Sequence, residues 1–351
     1  MSAQPGVEPQ LEPRAESRAQ ARNRTRSVPR AGWAVVANKE FADHLLSVRF
    51  IVLLAILGLA VGIPFFLASE QIRSIASQAS GSGSLFLALF LLGPQDVSIF
   101  QLDVTIQSFV SLAAPLLGLA FAFDAVNGER AQGTLPRLLS QPIYRDDVIN
   151  GKFAAGLAII AMVLAIVVAL VSAFGIFRLG IVPTPDEVLR ILVWMLVTII
   201  YVGLWLAFGL LLSVVLRRAA TSALVGFGMW FAVAAFGRFL VGLVLAFLVP
   251  VSNALTEDNL AAIQTRTFFL RLLPNTLYDE ASLVLLNPTA TYSSTPPTIG
   301  GNIQVSEQVL SVLSPDQSFL IVWPQIVALL AIMVACFALA YVRFMRQEVR
   351  A

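Results

Sequence analysis

FDAVNGERAQGTLPRLLSQPIYRDDVINGK, residues 123–152, is a charged island set between two long apolar runs. It carries Asp124, Glu129, Arg130, Arg137, Arg145, Asp146, Asp147 and Lys152 in a chain that is only 13% charged. A plain connection between helices takes roughly 2–8 residues. This one is far longer and holds a short amphipathic segment of its own. Glu129 and Arg130 lead into Gly133-Thr134-Leu135. Gly133 permits close backbone approach, and Thr134 is placed to cap the next turn. Pro136 is tolerated in a first helical turn. Leu135, Leu138 and Leu139 then make one apolar stripe with Arg137 beside it, and Gln141-Pro142 stops the helix. Physics alone leaves two readings open: a two-turn knob for a partner's groove, or an interfacial helix facing lipid.

Outside the island the chain is made of membrane-length runs. Its 351 residues are 58% hydrophobic, with a mean hydropathy of +0.82. Soluble domains are roughly 45–50% apolar and ~25% charged, so the chain is a poor candidate for a water-soluble fold. A helix needs about 20 apolar residues to cross a bilayer core. The expected spans are 50–68, 104–123, 153–174, 191–216, 219–238 and 318–341. The run Leu85–Leu92 is too short to cross and reads as a re-entrant or interfacial turn on the outer side. The fifth apolar run, Ala219–Pro250, would overshoot the bilayer as one straight helix. A break near Gly237-Arg238 is expected there, with the remainder folding back. Residues 1–32 hold six arginines and four prolines and no aromatic residue. They read as a disordered basic arm with anionic lipid heads as its possible contact, and not as a cleavable leader. Trp33–Arg49 has the spacing of an interfacial helix, with His44 on its solvated face. Residues 251–317 are a long, mostly polar insertion. Leu260–Leu273 could form an amphipathic helix ended by Pro274, and 287–302 reads as irregular.

Lysine and arginine placement orients the spans. Leaving out distant and long segments, twelve fall on the side of the N-terminus and three opposite. Both ends and the island are therefore expected in the cytoplasm of a cell-membrane protein, and 251–317 outside. The chemistry is defined partly by what is missing. No phosphate-binding loop is present: Gly151-Lys152 is followed by Phe153. No metalloprotease or nucleophile-elbow motif occurs. The one histidine, His44, excludes a multi-histidine metal site, and the one cysteine, Cys336, excludes an intrachain disulfide. A net charge of +2 gives no case for nucleic acid. Asp146 and Asp147 look like a catalytic pair, but carboxylates there also favour the start of the third span. Arg238 interrupts an apolar run and reads either as snorkelling to the outer interface or as an outer gate.

The pattern Glu129, Arg130, Gly133-Thr134-Leu135, Leu138-Leu139-Ser140, Pro142, Arg145 and Gly151-Lys152 resembles the cytoplasmic signature of type-2 ABC-transporter permeases. Lys39-Glu40-Phe41 and Arg49-Phe50 are similar to that family's interfacial helix. The resemblance covers residues 33–346. It implies an all-α membrane protein of six transmembrane helices with an N-terminal interfacial helix. A cytoplasmic coupling helix would lie between spans two and three, and a large extracytoplasmic insertion before the last span. It further implies that Glu129, Arg130, Gly133, Thr134, Leu135, Arg137 and Leu138 contact a separate ABC ATPase subunit. That subunit would hold the ATP and Mg, this chain no cofactor of its own, and a second permease chain would complete the pathway. Export of an apolar or amphipathic substrate is the expected function. The alternatives are a scaffold or assembly factor working through its outer loop, and an ion-coupled secondary transporter. The absence of Asp and Glu from the expected spans counts against the last.

Overall fold

The apolar runs become helices that mostly outreach the stretches predicting them. The structure, a computed structural model, describes residues 32–59, 61–63, 85–91, 98–99, 102–103, 105–134, 144–251, 257–288 and 313–347. The chain begins with α1 (Gly32–Leu45), α2 (Val48–Ile63) and α3 (Leu85–Leu91). A short antiparallel pair follows, β1 (Ser98–Ile99) with β2 (Leu102–Asp103). Then come α4 (Ile106–Ala122), α5 (Asn127–Ala131), α6 (Arg145–Leu179), α7 (Pro185–Val215) and α8 (Ala219–Phe231). A π-helical turn, Ala232–Gly237, leads into α9 (Arg238–Leu248). The last three are α10 (Glu257–Leu270), α11 (Pro274–Leu286) and α12 (Pro315–Met345). Among the described residues, Ile106–Ala131, Arg145–Phe177, Pro185–Val215, Ala219–Leu248 and Pro315–Met345 are long and apolar enough to cross a membrane. A sixth would be the pair α1–α2, bent by 66°. The bend falls where the Ser47 hydroxyl donates to the His44 carbonyl (2.7 Å) and accepts from the Phe50 N–H (3.2 Å).

Helix α7 is the axis of the bundle. It packs against α4, α6, α11 and α12, and buries Trp194, Tyr201, Val202, Leu206 and Leu210. Its start is fixed by a capping box between Thr184 and Glu187, with Pro185 in the first turn. Helices α4 and α7 touch backbone to backbone at Gly118. A Cβ there would lie 2.5 Å from the Val202 carbonyl oxygen and 2.8 Å from the Leu206 nitrogen. Small residues at such crossings let membrane helices gain dispersion contact where no water drives them together. At 35 residues, α6 spans about 52 Å at ~1.5 Å per residue. It is longer than a bilayer core of ~30 Å and carries Arg145, Asp146, Asp147 and Lys152 in its first turns.

Three expectations are corrected. Gly237 and Arg238 are both helical, with φ/ψ of −54°/−53° and −63°/−41°, so the fifth run does not break or fold back there. The π-helical turn absorbs an extra residue without opening the helix, and Arg238 is met by a carboxylate rather than forced out. Of the two readings for Leu85–Leu92, re-entrant or interfacial, the interfacial one is overturned: on α3, Phe86, Leu87, Leu89 and Phe90 are fully buried, against α4, α6, α7 and α11. The insertion differs at Pro274, which is not the end of a helix reaching Leu273. Its first helix ends at Leu270, and Pro274 opens α11, where its missing N–H costs nothing. Helix α11 buries Leu277, Tyr278, Ala281, Ser282, Leu285 and Leu286 between α4, α7 and α12. A ladder of hydrogen bonds seats it on α7: the Trp194 indole N–H donates to Ser282 Oγ (3.0 Å), and Thr198 pairs with the Tyr278 hydroxyl (3.1 Å). Tyr201 stacks on Tyr278 with ring centres 4.4 Å apart. The arm 1–31 lies outside the described residues, as do 289–302 of the stretch read as irregular.

Candidate functional site

Gly151 and Lys152 act as a pair at the base of α6. A Cβ on Gly151 would meet the Val36 Cβ at 2.6 Å and the Trp33 carbonyl oxygen at 2.8 Å, so the bare backbone lets α1 lie directly on α6. Lys152, with only 4% of its side chain exposed, then reaches two carboxylates at once. Its Nζ lies 3.0 Å from Glu40 Oε1 on α1 and 2.7 Å from Glu129 Oε1 on α5. Removing one partner of such a buried pair leaves an uncompensated charge, which typically costs about 3–5 kcal/mol. Lys39 extends the cluster to Glu40 (3.2 Å) and Asp43 (3.0 Å). Among the described residues, the second carboxylate oxygen of Glu129 is buried without a hydrogen-bond partner. A small cavity beside the cluster is lined by Glu40, His44, Phe121, Lys152, Leu206 and Leu210.

Two further ties hold the same end together. Arg49, just past the α1–α2 bend, pairs with Asp124 (2.5 Å) and lies over the Phe123 ring, 5.3 Å from its centre. Ser213, near the end of α7, accepts from the backbone N–H groups of Val126 and Asn127 at 2.9 and 3.2 Å. Beyond α12, Gln347 accepts from the Arg130 guanidinium through its side chain and from Arg145 through its carbonyl (3.1 Å). Its amide donates to the Val214 carbonyl (2.8 Å). The island's described parts are thus fastened to α1, α2, α6, α7 and the end of α12.

The electrostatics follow from burial and partners. Burial works against the Glu40 carboxylate, but Lys152 and Lys39 outweigh it and hold its pKa below the ordinary value. Burial, with Lys152 nearby, pushes His44 below its ordinary value despite the neighbouring Glu40. His44 is therefore not the solvated residue that the α1 periodicity implied. It is half-buried, edge-on to Phe121 with ring centres 4.9 Å apart. Both shifts have the same sign for stability. The folded state binds fewer protons at each group, so stability falls as pH drops below 6.5 for His44 and below 4.5 for Glu40. His44→Gln should flatten the upper part of that acid limb in a pH series of thermal melts and leave the lower part in place.

The residues singled out from sequence divide clearly. Glu129 belongs to the lysine cluster, and Arg130 turns onto Gln347 rather than outward. Gly133 sits at φ +68° with open space where a Cβ would be, so its need for glycine is conformational and not one of close approach. Thr134 is exposed, and its hydroxyl reaches back to the Glu129 carbonyl (3.2 Å). Leu135, Arg137 and Leu138 lie outside the described residues. Asp146 and Asp147 stand in the first turn of α6, as helix-start carboxylates should. Arg238 pairs with Asp279 and donates to Thr276 (3.4 Å) and the Asn275 carbonyl (3.5 Å). Gln107 of α4 holds the other oxygen of Asp279 (2.8 Å). Glu40, Arg49 and Gln347 are the partners that sequence reasoning missed. The available signal was charge on an otherwise apolar helix pair, which does not name its partner. Among the described residues no group of three His, Cys, Asp or Glu could hold a metal ion.

Multi-pass apolar helices, with a polar island clamped at one end by buried charge, describe a membrane protein whose spans are tied together at that end. The chain belongs to the ABC-2 family transporter proteins, whose family model matches residues 34–349. It is similar to the "Probable ABC transporter permease protein NosY" of Stutzerimonas stutzeri, at 28% identity over 205 residues. That match covers 56% of this chain and 64% of the relative. It is also similar to the protein of the same description from Pseudomonas aeruginosa, at 32% identity over 162 residues, covering 40% of this chain and 51% of that one. The chain thus spans less than two thirds of the length of each.

Proposed function

We propose that this chain is the permease subunit of an ABC transporter, coupling ATP hydrolysis on a separate ATPase subunit to export of an apolar or amphipathic substrate. The observation that carries this reading is the Lys152 cluster. A push on the island cannot move α5 alone, because Glu129, Lys152 and Glu40 join it to the base of α6 and to α1. The chain would cross the cell membrane six times, the bent pair α1–α2 supplying the interfacial helix and first span, with both termini in the cytoplasm. Two permease chains would line the pathway. ATP and Mg would sit on two partner ATPases, whose closure would drive the islands. Inverting a two-state population from 1:99 to 99:1 takes a differential of about 5.5 kcal/mol.

Leu135 and Leu138 would supply the knob that meets the ATPase, with Arg130 and Arg137 as its polar contacts. The test is co-purification with an ATP-binding subunit, together with stimulation of its hydrolysis. Leu135→Ala should retain the complex, whereas Leu135→Asp or Arg137→Glu should abolish both complex and stimulation. Intact assembly and stimulation in both charge variants would remove the island from the interface.

A further inference from the structure

A second cationic cluster lies beside the first and takes no part in it. The Gln347–Val214 hydrogen bond of 2.8 Å pins the end of α12 to the end of α7. Arg343 and Arg346 lie within four residues of Gln347, and Arg217 and Arg218, at the corner between α7 and α8, within four of Val214, so the bond sets both pairs at one end of the bundle. All four side chains are exposed, and none makes an ion pair among the described residues. Arg130 and Arg145, both fastened to Gln347, add charge behind them.

The neighbours of these arginines identify what covers them. Along α12, Leu339 and Val342 are exposed on the face that continues into Arg343 and Arg346. At the other side of the corner, Val215, Leu224 and Val225 are exposed next to Arg217 and Arg218. In helices that cross a bilayer these apolar side chains face acyl chains, which puts the four guanidinium groups at headgroup depth. We propose that Arg217, Arg218, Arg343 and Arg346 form a binding site for the phosphate headgroup of an anionic phospholipid. Planar guanidinium groups match phosphate oxygens two bonds at a time. A bound lipid would brace the α7–α12 junction onto which Arg130 and Arg145 are tied. The inference needs only that α7, α8 and α12 cross a bilayer, and it stands or falls apart from any ATPase contact.

The test uses the full chain purified in mixed micelles with phosphatidylglycerol and phosphatidylcholine of identical acyl chains. Retained lipid is counted by native mass spectrometry. The wild type should retain phosphatidylglycerol preferentially, and added salt should weaken the preference. Each cation near an anionic surface contributes about a fivefold bias. Arg217→Gln with Arg218→Gln should therefore cut the retention ratio by roughly tenfold or more, and the fourfold Gln variant should cut it further. Arg266→Gln, whose guanidinium holds the Val249 carbonyl at 2.7 Å, should leave the ratio unchanged. The double variant alters only exposed side chains, so it reports even if the fourfold variant fails to fold. An unchanged ratio in the double variant would overturn the proposal. So would an unchanged ratio combined with loss of a co-purifying protein, which would make the corner a protein dock.

Discussion

Lys152→Met should destabilise the folded chain by about 3–5 kcal/mol, because the buried Glu40 and the half-buried Glu129 then lose their shared cation. Glu40 keeps only Lys39, which is half in solvent, and Glu129 keeps no cation among the described residues. Thermal unfolding of the purified chain should show the loss directly. The combination of Lys152→Met, Glu40→Gln and Glu129→Gln should recover most of it, since replacing a whole buried charge group is far less costly than orphaning part of it. The ATPase coupling proposed above should stay impaired in the recovered variant, because the charged link between α5, α6 and α1 is gone. A Lys152→Met chain that melts with the wild type would show that the cluster contributes little to the fold.

The second large effect belongs to the opposite part of the bundle. Tyr278 is fully buried, stacked on Tyr201 and hydrogen-bonded to Thr198. Tyr278→Ala leaves a ring-sized cavity between α7 and α11 and should cost about 3–5 kcal/mol. Tyr278→Phe keeps the ring and loses the hydroxyl's bond, so about 1 kcal/mol is expected. The difference between the two variants in the same melting assay measures packing separately from hydrogen bonding. Equal small effects would mean that α11 is only loosely seated and that the insertion is not part of the core.

Much of this architecture was legible in the sequence because the bilayer imposes a length rule on apolar runs. The runs at 104–123 and 318–341 gave helices with both ends within four residues of their bounds, and the run at 191–216 gave one that starts six residues earlier. Helix ends were harder to read, since α6 extends back through Arg145–Lys152, whose polarity ends the apolar run without ending the helix. The fifth run was misread at Arg238 for a related reason. An arginine in an apolar stretch signals a break only if it stays unpaired, and its partner Asp279 lies 41 residues away. Helix α11 was hidden by composition: Asn275, Thr276 and Ser282 look like loop residues until Trp194, Thr198 and Arg238 are seen to satisfy them or their neighbours. At the candidate site the island and its Gly151-Lys152 were evident as an anomaly of charge. That Lys152 bridges two other helices was not, because long-range pairing leaves no periodic trace.

The central claim is that the island stands on the inner side of the membrane, where a nucleotide-hydrolysing partner can push it. Thr134 is the place to ask, since it is exposed and adjacent to the lysine cluster. With the chain's one cysteine removed by Cys336→Ser, Thr134→Cys can be tested with a membrane-impermeant maleimide. Labelling in inverted vesicles and none in intact right-side-out cells is the predicted result; labelling from the cell exterior would contradict the account.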